Sequence, residues 1–447
     1  MTSLLRALLV SALLAGVPAS DEVARSADRA SGVTHSAAPR CPTWQRSRAW
    51  SPAQVLSRPG RQFAWANLAV APSGEAIAAW GNGVTVSQRR AGGRFGRGRQ
   101  FATYANEGGP LVQFGDGRAL MAWTDKRGLR LAVGSGRTGG FRTSEVVLKQ
   151  TPSITLAGGA GRPGLFVWSD GGSILAADVV GGQLRQSQPL PVNPNLLQPA
   201  LGAAVDSRGG AIVVSSGWSS SSSSPFLTVI ERPSGGEFGT PHNVLLPEYP
   251  GPVMAVRDAG GGAAVIWQRA LALATVPRVV EGFSRSPGGD FGAPRLLSAA
   301  GADITSPPAH AADAAGNAIA TWVEGEGRAW RVMAVQRRAG ADWGRTRTVL
   351  TSRRRPHDPL VALNERGQAA VVFGVACQRR SALMSVLRTS SGTWRRPEVL
   401  AVWTGYLTAS HSLGIDSRGA LTELWSRRPR AGGGLREIPI VAAVRSP

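Results

Sequence analysis

The sequence predicts an all-β chain closed into a β-propeller of four-stranded blades, eight in number with seven as the alternative. Three observations predict it: a recurring turn-and-strand unit, the spacing of that unit, and an isolated first strand that matches the end of a unit. The unit is clearest at Ala312–Trp322, ADAAGNAIATW, where Asp313 opens a turn, Gly316 closes it and an apolar strand ends on tryptophan. Near-copies begin at Val205, Arg257, Leu363 and Ile415, with shorter ones at Ala71 and Gly115. The turn glycines fall at Gly74, Gly117, Gly161, Gly209, Gly261, Gly316, Gly367 and Gly419, spaced by 43 to 55 residues. Four short strands per 40 to 50 residues is the period of a propeller blade.

In chain order, Met1–Ala19 reads as a signal peptide, with a basic start, an apolar run and a small-residue cleavage site at Val17-Pro18-Ala19. The apolar run is too short to span a bilayer, so no transmembrane segment is expected and the mature protein is read as secreted. Residues 20–43 form a small, polar linker without apolar period, and the propeller occupies 44–447. Trp50–Leu56 is a strand standing alone, and it resembles the closing strands FGAPRLL from Phe291 and WRRPEVL from Trp394.

Each later unit then reads in four pieces. A first strand ends in an acid-x-x-Gly turn, the preference of a type I turn. A small apolar second strand ends on Trp80, Trp123, Trp168, Trp267, Trp322, Phe373 or Trp425. The third strand alternates, as in WRVMAVQRR from Trp330, and a glycine turn with an aromatic (GGRFG from Gly92, GGEFG from Gly235, GGDFG from Gly288) leads to the fourth. The Gly161 unit lacks the acid, and the Gly209 unit carries Trp218 and the run Ser219–Ser224 in place of its terminal tryptophan. The last unit supplies only three strands, ending in LREIPIVAAV from Leu435, so the strand at Trp50–Leu56 is expected to complete it. Closing the ring in this way removes free sheet edges.

Apolar residues make up 43% of the chain, and Gly 57 with Pro 30 suits many turns. The formal net charge is +22, with two lysines, Lys126 and Lys149, against 48 arginines. Such a balance points to anionic partners. The five histidines, His35, His242, His310, His357 and His411, show no metal spacing, and no phosphate loop or G-x-S-x-G elbow is present, so no cofactor or metal is expected. Asp206, Asp258, Asp313 and Asp416 are read as turn-capping carboxylates rather than calcium ligands, because no D-x-D-x-D run accompanies them.

The glycine turns between third and fourth strands, Ser286–Phe291, Ser234–Phe238, Gly340–Trp343 and Gly392–Trp394, resemble degenerate Asp-boxes of sialidase-like propellers. The resemblance covers nearly the whole mature chain and implies the propeller architecture. A sialidase-type glycoside hydrolase would further need an arginine triad, a Tyr-Glu nucleophile pair and an acid-base Asp. The only tyrosines are Tyr104, Tyr249 and Tyr406, and Glu248 adjoins Tyr249. Asp-box-like turns occur in binding and catalytic propellers alike, so no catalytic residue is assigned.

Loops leading into blades and loops joining second to third strands share one face of a propeller. Arg353, Arg354, Arg355 and His357 lie in the loop leading into blade seven, Arg379 and Arg380 in a second-to-third loop, and Arg427, Arg428 and Arg430 in its counterpart in blade eight. These cations are expected to gather beside Trp403 and Tyr406 as a ligand-binding sector, since guanidiniums engage carboxylate, sulfate and phosphate bidentately. A solvated basic face without a ligand is the alternative. Trp218 and Trp330 also fall outside the strand-end position and join Trp403 and Tyr406 as candidates for an exposed platform. Cys41 and Cys377, the two cysteines, fall beside neighbouring blades, and whether they bridge is left open. The expectation is a secreted, monomeric propeller that binds rather than catalyses. Its partner would be an anionic glycan, a wall or surface polymer or an acidic protein, with no specific nucleic acid. A sialidase-like hydrolase and an interaction scaffold are the alternatives.

Overall fold

The structure is a computed structural model that describes residues 41–57, 65–81, 83–102, 109–115, 117–125, 128–135, 140–146, 153–159, 162–170, 172–192, 200–218, 225–248, 250–269, 278–327, 329–378, 380–405, 410–426 and 439–447. The expected signal peptide and most of the linker lie outside these residues. The chain divides into two units, Met1–Thr43 and Trp44–Pro447. The described part of the first unit has no regular structure, and all the strands belong to the second. Both Cys41 and Cys377 are disulfide-bonded.

Eight antiparallel sheets form eight blades. Blades one to seven span residues 66–100, 111–146, 154–189, 200–245, 250–296, 303–352 and 356–404 in chain order. Blade eight takes His411–Ile415, Leu421–Ser426 and Ile440–Arg445 from the C-terminal end and Gln54–Val55 as its outer strand. Gln54 pairs with Ala442 and Val55 with Val441, and Trp50 bridges Arg445 beyond them. The isolated first strand thus completes the last blade, which makes eight the blade number. The Gly161 turn lies outside the described residues, but the strands on either side of it, Ile154–Gly159 and Arg162–Asp170, form a complete blade three. In blade six the first strand is split into Asp303–Ile304 and Ala309–Ala312 around two prolines, which cannot donate to the ladder.

Second strands are sandwiched between neighbouring blades, so both of their faces are apolar and small. Ala76–Trp80 and Leu421–Ser426 are buried at every residue. Their terminal tryptophans, with Trp168, Trp267 and Trp322, are among the largest fully enclosed side chains. Turn acids cap their own backbones as expected. Asp206 Oδ1 accepts from the amides of Arg208 and Gly210 at 2.8 and 2.9 Å, and Asp416 Oδ1 from those of Arg418 and Ala420 at 2.9 and 2.8 Å.

A second repeat links blades. Third strands end on an arginine that donates to the carbonyl of the turn glycine: Arg89 to Gly74, Arg232 to Gly209, Arg285 to Gly261, Arg337 to Gly316 and Arg388 to Gly367, at 2.6 to 3.2 Å. Several reach a carboxylate of the preceding blade, as in the bidentate Arg232–Asp178 pair at 2.5 and 2.8 Å and the Arg285–Glu231 pair at 2.8 Å. Guanidiniums over the aromatics of the following turn, Phe95, Phe238 and Phe291, complete the device. Part of the basic excess is therefore internal mortar rather than surface charge.

A half-buried histidine on the first strand of blade six is also shaped by its surroundings. Burial of the His310 ring, hydrogen-bonded to the Ala255 carbonyl, pushes its pKa down to about 4. The unfolded chain binds that proton first, so stability falls as pH drops from the ordinary histidine value towards 4, by on the order of 3 kcal/mol. In urea titrations between pH 7 and 4.5, His310→Gln is expected to lose less stability than wild type. Equal losses would remove His310 from the account.

Candidate functional site

A cavity opens where the loops enter blades one, six, seven and eight, at the end of the first strands that line the central channel. Its volume is about 310 Å³, and its walls are Trp65, Ser306–Ala309, Asp358–Leu360, Ser410 and His411. Trp65 precedes the first strand of blade one and is 43% exposed, the only tryptophan among the exposed large hydrophobic residues described. It stands there because Gly109, at φ +66°, leaves room: a Cβ at that glycine would lie 2.4 Å from the Trp65 Cβ. Pro307 and Pro308 fill the split in the first strand of blade six and line the same cavity.

Across the cavity, Asp358 adopts φ +48°, a left-handed conformation uncommon outside glycine. A bulge between His357 and Leu360 accompanies it, and its carboxylate-bearing residue is exposed. The strained carbonyl is held by His411, whose Nε2 lies 2.6 Å from Asp358 O. A carbonyl only accepts, so Nε2 carries a proton. Nδ1 meets Glu423 Oε1 at 2.8 Å, and that bond needs a proton from one partner or the other. Burial pushes the Glu423 carboxyl up to about 6. Burial also opposes charge on His411, but the Glu423 bond and the Asp358 carbonyl outweigh it and raise its pKa. The side chains are 4% and 0% exposed, and both ring nitrogens are engaged. The pair is a proton-sharing strut that sets the Asp358 wall.

Ser410 ties the same region to blade one: its hydroxyl donates to Ala66 O at 3.2 Å and accepts from the Ala66 amide at 3.3 Å. Blades seven, eight and one therefore meet in one hydrogen-bonded rim.

Of the expected basic sector, Arg353–Arg355 lie among the described residues near this cavity, in the loop leading into blade seven. Arg353–Arg355 connect the outer strand of blade six, ending at Ser352, to the first strand of blade seven, beginning at Pro356. Arg353 and Arg355 are exposed, and among the described residues neither forms an ion pair. The Arg355 guanidinium lies 5.3 Å from the Trp330 ring centre, which stiffens a long side chain without neutralising it. Burial, followed by the nearby Arg355 charge, lowers the His357 pKa.

Several expectations need correction or limits. His357 belongs to the first strand of blade seven, not its loop, and Arg380 opens a third strand opposite Thr404 rather than lying in a turn. Trp403 is 5% exposed and belongs to the same buried cluster as Trp50, Leu383 and Leu400. It is core, not platform. Trp330 is half-buried beneath Arg355. Arg379, Tyr406, Arg427, Arg428, Arg430 and Tyr249 lie outside the described residues, as does the Trp218 side chain. Glu248 forms an ion pair with Arg269 at 3.4 Å.

Sequence reasoning missed Trp65, His411 and Glu423. Glu423 had a signal: it stands two before Trp425, where the other second strands carry Ala78, Met121, Phe166, Val265, Ala320 or Val371. A lone acid in an otherwise apolar position asks for a buried partner. Among the described residues, no group of three His, Cys, Asp or Glu could hold a metal ion.

No protein-family model matches the sequence, and no curated protein matches it. Solved structures that it resembles are β-propellers in part or whole. An ulvan lyase, presented as a new polysaccharide lyase family, is 10% identical over 89% of this chain and 95% of its own, at a TM-score of 0.44. A six-bladed fucose-recognising lectin from Aleuria aurantia is 11% identical over 79% and 98%, at 0.38. A protein of unknown function from Dyadobacter fermentans is 10% identical over 88% and 97%, at 0.41. At these values none of the three bears on the ligand of this chain.

Proposed function

We propose that this propeller is a secreted glycan-binding protein whose ligand is acidic and sits at the channel mouth. The exposed Trp65 indole, standing over an open cavity of about 310 Å³, carries the reading. A flat apolar face beside serine hydroxyls and the Asp358 carboxylate suits a sugar ring, which has apolar faces and polar edges. Arg353 and Arg355 supply the charge for carboxylate or sulfate substituents. The His411–Glu423 strut fits a wall element more closely than a general base, since neither ring nitrogen is free. The aromatic turns resemble degenerate Asp-boxes, and in this reading the likeness is one of construction.

Retention on immobilised acidic and neutral glycans across a salt series tests this. Trp65→Ala is expected to weaken binding to the retained glycan by about tenfold, roughly 1.4 kcal/mol, at every salt concentration. Arg353→Glu with Arg355→Glu should remove the salt-dependent part. Retention unchanged in Trp65→Ala would refute the site, and release of new reducing ends from the glycan would turn the reading to hydrolysis.

A further inference from the structure

The peptide bond between Asp358 and Pro359 combines features that a cavity wall does not require. It is the single Asp-Pro step in the chain. Asp358 holds φ +48° and is one of two non-glycine residues at positive φ among those described. It is exposed, lines the cavity and forms no ion pair among the described residues. Backbone outliers held in place by their surroundings gather at functional sites.

His411 supplies the contact that decides. The oxygen 2.6 Å from its Nε2 is the carbonyl oxygen of this same peptide bond. Nε2 carries a proton, and Glu423 braces the ring from behind, 2.8 Å from Nδ1. An N–H aimed at an amide oxygen stabilises the negative charge that the oxygen takes up when its carbon is attacked. A nucleophile is at hand, because the Asp358 carboxylate closes a five-membered ring onto its own carbonyl carbon. Proline then settles which bond gives way. Its nitrogen has no N–H, so it cannot attack the aspartate side chain and rearrange the link.

We infer that the Asp358–Pro359 bond is a self-cleavage site, with Asp358 as the nucleophile and His411 as the oxyanion donor. A carboxylate oxygen of Asp358 bonds to the carbonyl carbon, and the carbonyl oxygen becomes an oxyanion held by the His411 Nε2–H. As the oxyanion collapses, the carbon–nitrogen bond breaks. Its electron pair stays on the Pro359 nitrogen, which takes a proton from water. The hydroxide left over opens the cyclic anhydride on Asp358, so one water molecule is consumed in all. One product ends at Asp358 as a free acid, and the other begins at Pro359 as an amine. Ladder partners on both sides of the cut, Pro356 with Val375 and Leu360 with Val372, keep the nicked strand in blade seven. The inference does not depend on what the channel mouth binds.

Incubating the purified full chain near neutral pH, then reducing and denaturing it for mass spectrometry, provides the test. Fragments meeting at Asp358 and Pro359 should accumulate about a hundredfold faster from the folded chain than from the same chain held in urea, the weight of one oxyanion donor. Asp358→Gly suits the left-handed backbone and lacks the carboxylate, so it should give neither fragment. His411→Leu should fall to the rate of the urea-held chain, and His411→Gln, which keeps an N–H at similar reach, should recover part of the difference. Should the His411 variants not fold, Asp358→Gly and the urea comparison still decide, because both leave the buried pair as it is in sequence. Equal rates in the folded and urea-held chains would overturn the inference. So would a folded chain that stays intact, or fragments that persist in Asp358→Gly and therefore come from a contaminating protease.

Discussion

Replacing Arg337 by methionine is expected to destabilise the folded chain by about 3–5 kcal/mol, the cost of leaving a buried charge unpaired. The Arg337 side chain is 0% exposed and that of its partner Asp258 2%. One guanidinium nitrogen donates to Asp258 Oδ2 at 3.0 Å and the other to the Gly316 carbonyl at 3.2 Å. Asp258 also accepts from the amides of Gly262 at 2.8 Å and Gly340 at 2.9 Å. Burial alone would raise the Asp258 pKa, but those amides and Arg337 more than offset it and hold the carboxyl below its usual value. A carboxyl with a depressed folded pKa stabilises above its unfolded pKa and loses that contribution as pH falls through the folded one. The deficit of Arg337→Met should therefore be full at pH 7 and shrink below about pH 4. Adding Asp258→Asn should cost less in the variant than in wild type, because the charge left unpaired is then gone. Melting temperatures of the four proteins across that pH range decide it, and additive losses would show that the pair does not act as a unit.

Trp50→Ala is expected to cost a similar amount, about 3–5 kcal/mol, and to open the ring. Trp50 is fully enclosed, packs against Leu383, Leu400, Trp403 and Trp425, and its Nε1–H donates to Ser385 Oγ at 3.3 Å. It precedes the two-residue strand that completes blade eight, which is also held by backbone bonds from Ser51 to Val444 and from Leu56 to Ile440 and by Gln54 against Phe95. Losing the indole should expose the Ile440–Arg445 edge to solvent and to other chains. Amide exchange along Ile440–Arg445 is expected to accelerate more than exchange along Ala263–Arg269 in blade five. Uniform acceleration around the ring would mean that closure is not a separate step. Ser385→Ala, which removes only the hydrogen bond, should cost about 1 kcal/mol.

Much of this was legible along the chain because it is local and repeated. The acid-x-x-Gly turn, the small apolar second strand and its final tryptophan each fit within about a dozen residues. Repeated copies of a local rule, two of them degenerate, point to a propeller of seven or eight blades, and pairing of the isolated strand before Ala66 with the last blade decides for eight. The capping role of Asp206 and Asp416 followed from the same locality. Even the internal arginines left a trace, since Arg89, Arg232, Arg285 and Arg337 each stand three residues before a turn glycine.

The site was decided in three dimensions. His411 reaches the carbonyl of Asp358, 53 positions away, and Arg388 reaches Gln336 across 52, so no window of sequence contains either contact. Exposure was decided there too. Trp403 and Trp65 are alike as letters, yet one is buried in the cluster around Trp50, while the glycine at 109 lets the other stand at the channel mouth. A repeat determines which positions face a neighbouring blade. Which side chain then meets an acid, an amide or open water depends on what the next blade holds at that height, and only the closed ring brings those residues together.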